Sequence, residues 1–312
     1  MALRTGFGEA VASLGPVLME GAVVERLRRG GVALHPEALH AGLVLHEGGR
    51  RALEPVYRGY LDAGREASLP VVLLTPTWRA ASDRLAAAGL PFRRVQEEAV
   101  SFLRSLLSPG DRAFVLGLMG SRGDAYRPEE ALETDDAERF HAPQAEALAA
   151  AGVEGFQAAT QCAYSEALGL ARAMGRTGLP YLVSWIVRPS GHLLDGTPLE
   201  VAVARLDREA DPPPLLHMLN CVHWSNALSA VDRAVQGLPS LPSRLSGLQA
   251  NTSPLPPEAL DGRETLEGES PDAFAAGLLL LRSRFGFRLL GGCCGSDDRH
   301  IRALARALSG RA

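Results

Sequence analysis

Eight short apolar runs, each about the length of a strand, are separated along this chain by longer segments of helical period, and few folds accommodate that rhythm. The runs are Pro16–Gly21, Pro70–Thr75, Ala113–Gly120, Gly155–Thr160, Tyr181–Val187, Leu215–Cys221, Leu245–Asn251 and Phe287–Gly292. Helical patterning lies between and after them at Arg51–Ala67, Ala80–Ala88, Thr134–Ala151, Ser165–Met174, Leu199–Glu209, Ser225–Val235, Ser270–Phe285 and Asp298–Leu308. Repeated βα units of this kind place the chain in the α/β class, and eight of them predict a closed (β/α)8 TIM barrel. An open doubly wound sheet is the competitor, but no run is followed by a Gly-x-Gly-x-x-Gly phosphate turn. Gly237–Pro242 and Ser253–Gly262, rich in Pro, Gly and Ser, read as long loops around the seventh strand and not as linkers. Residues 1–312 are therefore expected to form a single domain.

With 46% hydrophobic residues but only 5% aromatic ones, the core has to be aliphatic. The net charge is −4, every basic residue is Arg, and no basic stripe or nucleic-acid-binding motif is present, so nucleic acid is not an expected partner. The longest apolar run, Ala273–Leu281, falls short of the ~18 residues a membrane span needs. Near the N-terminus, Val11–Met19 is broken by Gly15 and Pro16, a poor secretory signal, and a cytoplasmic protein is expected. Cys162, Cys221, Cys293 and Cys294 are too few and too unevenly placed for a disulfide framework and read as reduced thiols with a local task.

Asn220-Cys221 closes the sixth run and Gly291-Gly292-Cys293-Cys294-Gly295 closes the eighth, so both fall at the C-terminal rim where a barrel keeps its active site. Neighbouring residues of a regular strand point to opposite faces, so Cys293 and Cys294 can share one ion only if the backbone leaves extended geometry, which the flanking glycines permit. Three thiolates can bind Zn²⁺ and leave a fourth position open for an incoming thiol, which would stay deprotonated there for attack on a methyl group. Two plainer readings stand beside this one: buried cysteines acting as small apolar side chains, and a vicinal disulfide between Cys293 and Cys294.

These motifs resemble the zinc-dependent homocysteine S-methyltransferases, the betaine-dependent enzymes and the homocysteine domain of methionine synthase among them. The resemblance runs through Val17–Leu27, Thr75-Pro76-Thr77-Trp78, Phe140–Gly155, Leu194–Leu199 and Ala250-Asn251, almost the whole chain. It implies Cys221, Cys293 and Cys294 as zinc ligands at the ends of strands six and eight, with Glu20, Gly21, Thr75, Asn220, Gly291 and Gly292 around the substrate. The implied reaction carries a methyl group from a small onium donor (S-methylmethionine, S-adenosylmethionine or betaine) to homocysteine or a related thiol. No residue would be needed as a covalent intermediate, and the partners would be the two small molecules. The sequence leaves the oligomeric state open.

Departures from the family pattern carry weight too. Val24 and Glu25 stand where Gly and Thr are usual, and Ala159 stands where the family commonly has a Glu that meets the substrate ammonium. Gln157, ~7 Å deeper on the same strand face, is only a partial substitute. A relative that binds zinc and a thiol without transferring methyl groups is the alternative these changes motivate. His217 has the strand parity of Cys221 but lies ~13 Å from it, and reads as a hydrogen-bonded core histidine. His223 reads as a structural neighbour of the metal ligands and Cys162 as a packing thiol. Trp78, Trp185 and Trp224 fall near strand ends, where an aromatic face could meet a cationic donor, although packing is the commoner role.

Overall fold

A computed structural model describes residues 6–13, 15–255 and 268–310 of the chain. Its eight strands are β1 (Val17–Met19), β2 (Val71–Leu74), β3 (Ala113–Met119), β4 (Phe156–Gln161), β5 (Tyr181–Trp185), β6 (Leu216–His223), β7 (Leu245–Asn251) and β8 (Leu289–Gly292). They pair in chain order, every pair parallel, and β8 pairs with β1 to close the ring. Each expected apolar run coincides with one of these strands, β4 and β6 extending one and two residues past theirs.

The larger helices of the outer layer are α3 (Glu47–Ala67), α5 (Phe92–Ser105), α6 (Thr134–Ala151), α7 (Tyr164–Gly175), α8 (Leu199–Glu209), α9 (Trp224–Gly237), α11 (Pro271–Phe285) and α12 (Asp298–Ser309). Shorter ones are α1 (Phe7–Ala12), α2 (Val24–Arg29), α4 (Ser82–Ala87) and α10 (Leu241–Arg244). Four of these helices go beyond the sequence reading: α1, α2, α5 and α10. In α5 the buried residues Val95, Ala99, Val100, Phe102 and Leu103 form the stripe that docks it, an i, i+4 pattern that begins only after Pro91. The stretch Gly237–Pro242 is no long loop, because α9 runs to Gly237 and α10 starts at Leu241 with Pro242 in its first turn, where a missing N–H costs nothing. Ser253–Gly262 lies outside the described residues from 256 onward.

Strand alternation divides the core in two. Leu18, Leu73, Val115, Phe156, Val183, Leu219, Leu248 and Leu290 face the helices, whereas Val17, Met19, Val72, Leu74, Phe114, Leu116, Leu182, Leu216, Met218 and Leu289 fill the barrel. Phe7 and Val11 of α1 join the inner group. Apolar filling stops toward the C-terminal ends, where Gln157, Ser184 and Gln249 take over inward positions, and that change prepares the rim for polar chemistry. Among the described residues no helix is long and apolar enough to cross a membrane.

Candidate functional site

Regular alternation would turn Cys221 outward with His217 and Leu219. Instead β6 bulges: its pairing with β7 shifts register between Asn220 and Val222, and Cys221 takes a left-handed backbone with φ of 54°. A bulge re-aims a side chain, and here it brings the Cys221 sulfur against that of Cys293. The expected common face of His217 and Cys221 is corrected by this bulge. β4 has a matching irregularity, with a register shift between Ala158 and Gln161 and φ of 58° at Thr160. Asn220 ties the two together, since its Oδ1 accepts from Thr160 N at 2.9 Å.

Past β8 the chain turns at once. Cys293 N donates to Ala250 O at 2.7 Å, and Cys293 O accepts from Ser296 N at 3.1 Å and from Ser296 Oγ at 2.7 Å. This turn is the departure from extended geometry that adjacent cysteines needed. The sulfurs of Cys221, Cys293 and Cys294 lie within 4.8 Å of one another. The sulfurs of Cys221 and Cys293 are in direct contact, with their Cα atoms 5.5 Å apart, while Cys162 and Cys294 stand apart from that pair as free thiols. The vicinal pairing of Cys293 with Cys294 is not formed.

Crowding around the Cys294 sulfur, although the residue as a whole is exposed, pushes its thiol up to about 11, with Glu25 adding to the rise. A cation among three such sulfurs would reverse that bias, because it favours every thiolate. An all-sulfur set of three suits a soft or borderline ion such as Zn²⁺ and not Mg²⁺ or Ca²⁺. On donor chemistry the site therefore fits the metal that the sequence implied.

Of the six residues expected around the substrate, three are glycines at the rim. A Cβ at Gly21 would lie 2.9 Å from Tyr60 Oη, one at Gly291 2.5 Å from Met19 O, and one at Gly292 2.1 Å from Ser296 Oγ. Close approach therefore keeps Gly291 and Gly292 bare of side chains. Glu20 has the outward parity of Leu18, and its Oε2 accepts from Leu74 N at 2.8 Å, which extends the β1–β2 ladder. Burial pushes its pKa well above the ordinary carboxylate value against that hydrogen bond. Thr75 is closed off from solvent, its hydroxyl accepting from Leu118 N at 3.0 Å and meeting Thr77 Oγ1 at 2.6 Å. Asn220 is engaged with Thr160, as described. These three polar side chains thus brace the rim.

Gln157 is equally committed. Its Nε2 donates to Ser184 Oγ at 2.9 Å and to Gln249 Oε1 at 2.6 Å. His217 points to the helices as a buried hydrogen-bonded histidine, its Nδ1 accepting from Trp185 Nε1 at 3.1 Å and its Nε2 lying 3.0 Å from Asp207 Oδ1. Trp185 stacks on it from the same outer layer, while Trp224 packs on Gly277 of α11 and donates to Glu269 Oε2. Only Trp78 remains at the rim, with Nε1 donating to Thr160 Oγ1 at 3.1 Å. His223 caps α9 through Nδ1 and stands 3.4 Å from Glu269 Oε1, outside the sulfur cluster. Burial, with Glu166 second, pushes the Cys162 thiol up to about 12, which suits an inert packing residue.

Sequence reasoning overlooked Ser296 and Thr252. Ser296 Oγ accepts from Ala22 N at 3.2 Å, so it fastens the Cys293 turn to the end of β1, and Thr252 N donates to Cys294 O at 3.1 Å. A Ser right after the Gly-Gly-Cys-Cys-Gly run was the available signal. A groove of about 750 Å³ near Ser246, Arg282 and Arg288 opens at the opposite end of β7 and β8 and takes no part in this site.

Comparison with known proteins adds four findings. A family model described as homocysteine S-methyltransferase matches residues 17–308. The chain is 28% identical over 308 residues to a homocysteine S-methyltransferase of Escherichia coli (strain K12), covering 92% of this chain and 94% of that one. It is 24% identical to homocysteine S-methyltransferase YbgG of Bacillus subtilis (strain 168), with 93% of each covered. The crystal structure of the homocysteine methyltransferase MmuM from Escherichia coli in its metallated form superposes with a TM-score of 0.75 at 24% identity, over 95% of this chain and 97% of that one.

Proposed function

The chain belongs to the homocysteine S-methyltransferase family, and from that membership we propose that it moves a methyl group from a small onium donor to the sulfur of homocysteine or a related thiol, giving methionine or another thioether. S-methylmethionine, S-adenosylmethionine and betaine are the donors to try, in that order. The observation that carries this reading is the convergence of the Cys221, Cys293 and Cys294 sulfurs within 4.8 Å at the C-terminal rim.

In this reading the three cysteines hold Zn²⁺, with Cys221 and Cys293 in their reduced form. Bound there, the ion supplies a Lewis-acidic centre that keeps an acceptor sulfur deprotonated at neutral pH. The chain's own residues do the rest by position. Asn220 fixes the bulge that aims Cys221, and Ser296 fixes the turn that presents Cys293 and Cys294. Gly21, Gly291 and Gly292 let Tyr60, Met19 and Ser296 close in behind the rim, while Glu20 and Thr75 shape the acceptor's pocket by bracing β2 against β1 and β3. Methyl transfer from an onium centre to a thiolate sulfur needs no side chain as a covalent intermediate.

The second reading, a protein that binds zinc and a thiol without methyl transfer, draws on Val24, Glu25 and Ala159. One experiment separates the two: the reduced, zinc-loaded protein is incubated with homocysteine and other thiols against each donor, and thioethers are sought by mass spectrometry. Methionine formation supports transfer; thiol binding with no thioether from any donor leaves the binding role. Metal analysis tests the site itself. About one zinc per chain is expected, most of it lost on Cys221→Ala, Cys293→Ala or Cys294→Ala and kept on Cys162→Ala. Full occupancy in a Cys293→Ala, Cys294→Ala double variant would sink the assignment.

A further inference from the structure

Glu25 is no member of the sulfur cluster, yet it reaches the loop that carries two of the three sulfurs. It lies in the first turn of α2, and its Oε2 accepts the N–H of Gly295. On the other side of the same peptide unit, Cys294 O accepts from Thr252 N at 3.1 Å. Both polar groups of the Cys294–Gly295 peptide are therefore held, one by the end of β7 and one by a carboxylate from α2. The preceding peptide is held as well, through Cys293 O and Ser296. With the peptides on both sides of Cys294 fixed, the direction of its Cα–Cβ bond is fixed too.

The loop has little room to reach that geometry in another way. Gly295 adopts φ of 85°, and a Cβ there would lie 1.9 Å from Thr252 Oγ1. Among the described residues, Glu25 is the only side chain that accepts from Gly295 N. Arg29, one turn along α2, stands 3.8 Å from the other Glu25 oxygen and favours the carboxylate's presence there.

We propose that Glu25 is a positioning residue for Cys294: by holding the Gly295 N–H it orients the third sulfur toward Cys221 and Cys293, so that α2 takes part in building a three-sulfur metal site. The inference rests on the metal reading above and assigns to this carboxylate a task in metal retention. A group that orients a ligand is typically worth about 10–100-fold in metal affinity.

The test compares wild type, Glu25→Ala and Glu25→Gln, all reduced. Zinc affinity is measured by competition with a chromophoric chelator, and the sulfur-to-metal charge-transfer band is recorded with Co²⁺ in place of zinc. Glu25→Ala is expected to lose about 10–100-fold in zinc affinity, with its Co²⁺ band falling toward the intensity of two thiolates. Glu25→Gln keeps an acceptor oxygen and is expected to stay within about three-fold of wild type with the full band. Because that variant retains the helix and the hydrogen bond, it guards against simple failure of Glu25→Ala to fold. A wild-type band and affinity in Glu25→Ala would overturn the proposal, and so would an equal loss in Glu25→Gln, which would make charge and not position the cause. If wild type binds neither ion, the metal reading itself is overturned.

Discussion

Thr160 and Cys221 hold left-handed backbone without being glycines, at about 1–3 kcal/mol each. Both are ordinary residues in runs that read as regular strands, so nothing in their pattern betrays the bulges. The sequence puts Cys221 at the C-terminal rim, but its alternation alone aims the sulfur at the helices. Asn220 is the residue that the bulges depend on together. Asn220→Ala leaves the buried Thr160 N–H without its acceptor, a cost of about 1–3 kcal/mol in urea unfolding, and zinc content should fall with it. Unchanged stability and zinc in that variant would show that the bulges stand without Asn220. Ala159, inside the bulge of β4, offers no charge to an α-ammonium, and Gln157 beneath it is tied to Ser184 and Gln249. Ala159→Glu is therefore expected to raise the preference for homocysteine over an amine-free thiol of similar length. A charge-assisted hydrogen bond of ~1.5–3 kcal/mol corresponds to roughly 10–150-fold in relative kcat/KM. A wild type that already prefers homocysteine by orders of magnitude, unmoved by the substitution, would mean that another group receives the amine.

Among the elements, the contact between β6, α8 and α10 shows what hydropathy cannot reveal. The periodicity gives α8 its bounds and β6 its place, but not that His217, Asp207 and Arg244 meet in the layer between them. Arg244 Nε lies 2.7 Å from Asp207 Oδ2, and His217 lies on the other side of that carboxylate. Burial works against the charge of Asp207, yet the hydrogen bonds from His217 and Arg244 together outweigh it and hold its pKa at about 2. An ordinary Asp titrates near 3.9 in the unfolded chain, so this group contributes stability above about pH 4 that is lost as pH falls toward 2. The contribution is of the order of 1–2 kcal/mol for a partly exposed carboxylate. Asp207→Asn should lower stability at neutral pH and flatten its fall between pH 4 and 2, read from urea midpoints across that window. An unaltered acid slope would remove Asp207 from the account. The α1 and α2 regions were poorly legible for a different reason. These two short helices carry one or two buried residues each, Phe7 and Val11 in α1 and Leu27 in α2, too few to establish a period.

For the whole molecule, strand order was legible because eight apolar runs alternating with helices leave few alternatives, and the ring observed is the one expected. We propose that the chain behaves as a single domain, since the inner core draws on β1, β2, β3, β5, β6 and β8 at once. Far-ultraviolet circular dichroism and tryptophan fluorescence should then report one coincident urea transition, and separated midpoints would argue for independent units. Zinc bound only by the folded form should raise that midpoint, and a chelator should lower it again; an effect of about 2.7 kcal/mol is expected at a free concentration a hundred times Kd. Closure of the ring bears on where the chain can be cut as well. Gly292 N donates to Glu20 O and Cys293 N to Ala250 O, so the bonds that seat β8 between its neighbours also deliver its cysteines to Cys221, 72 residues earlier. A chain cut before β8 would keep Cys221 but lose Cys293 and Cys294, and with them the cluster. A rearranged chain that begins at another strand is expected to keep the three sulfurs together as long as β6, β7, β8 and β1 stay side by side.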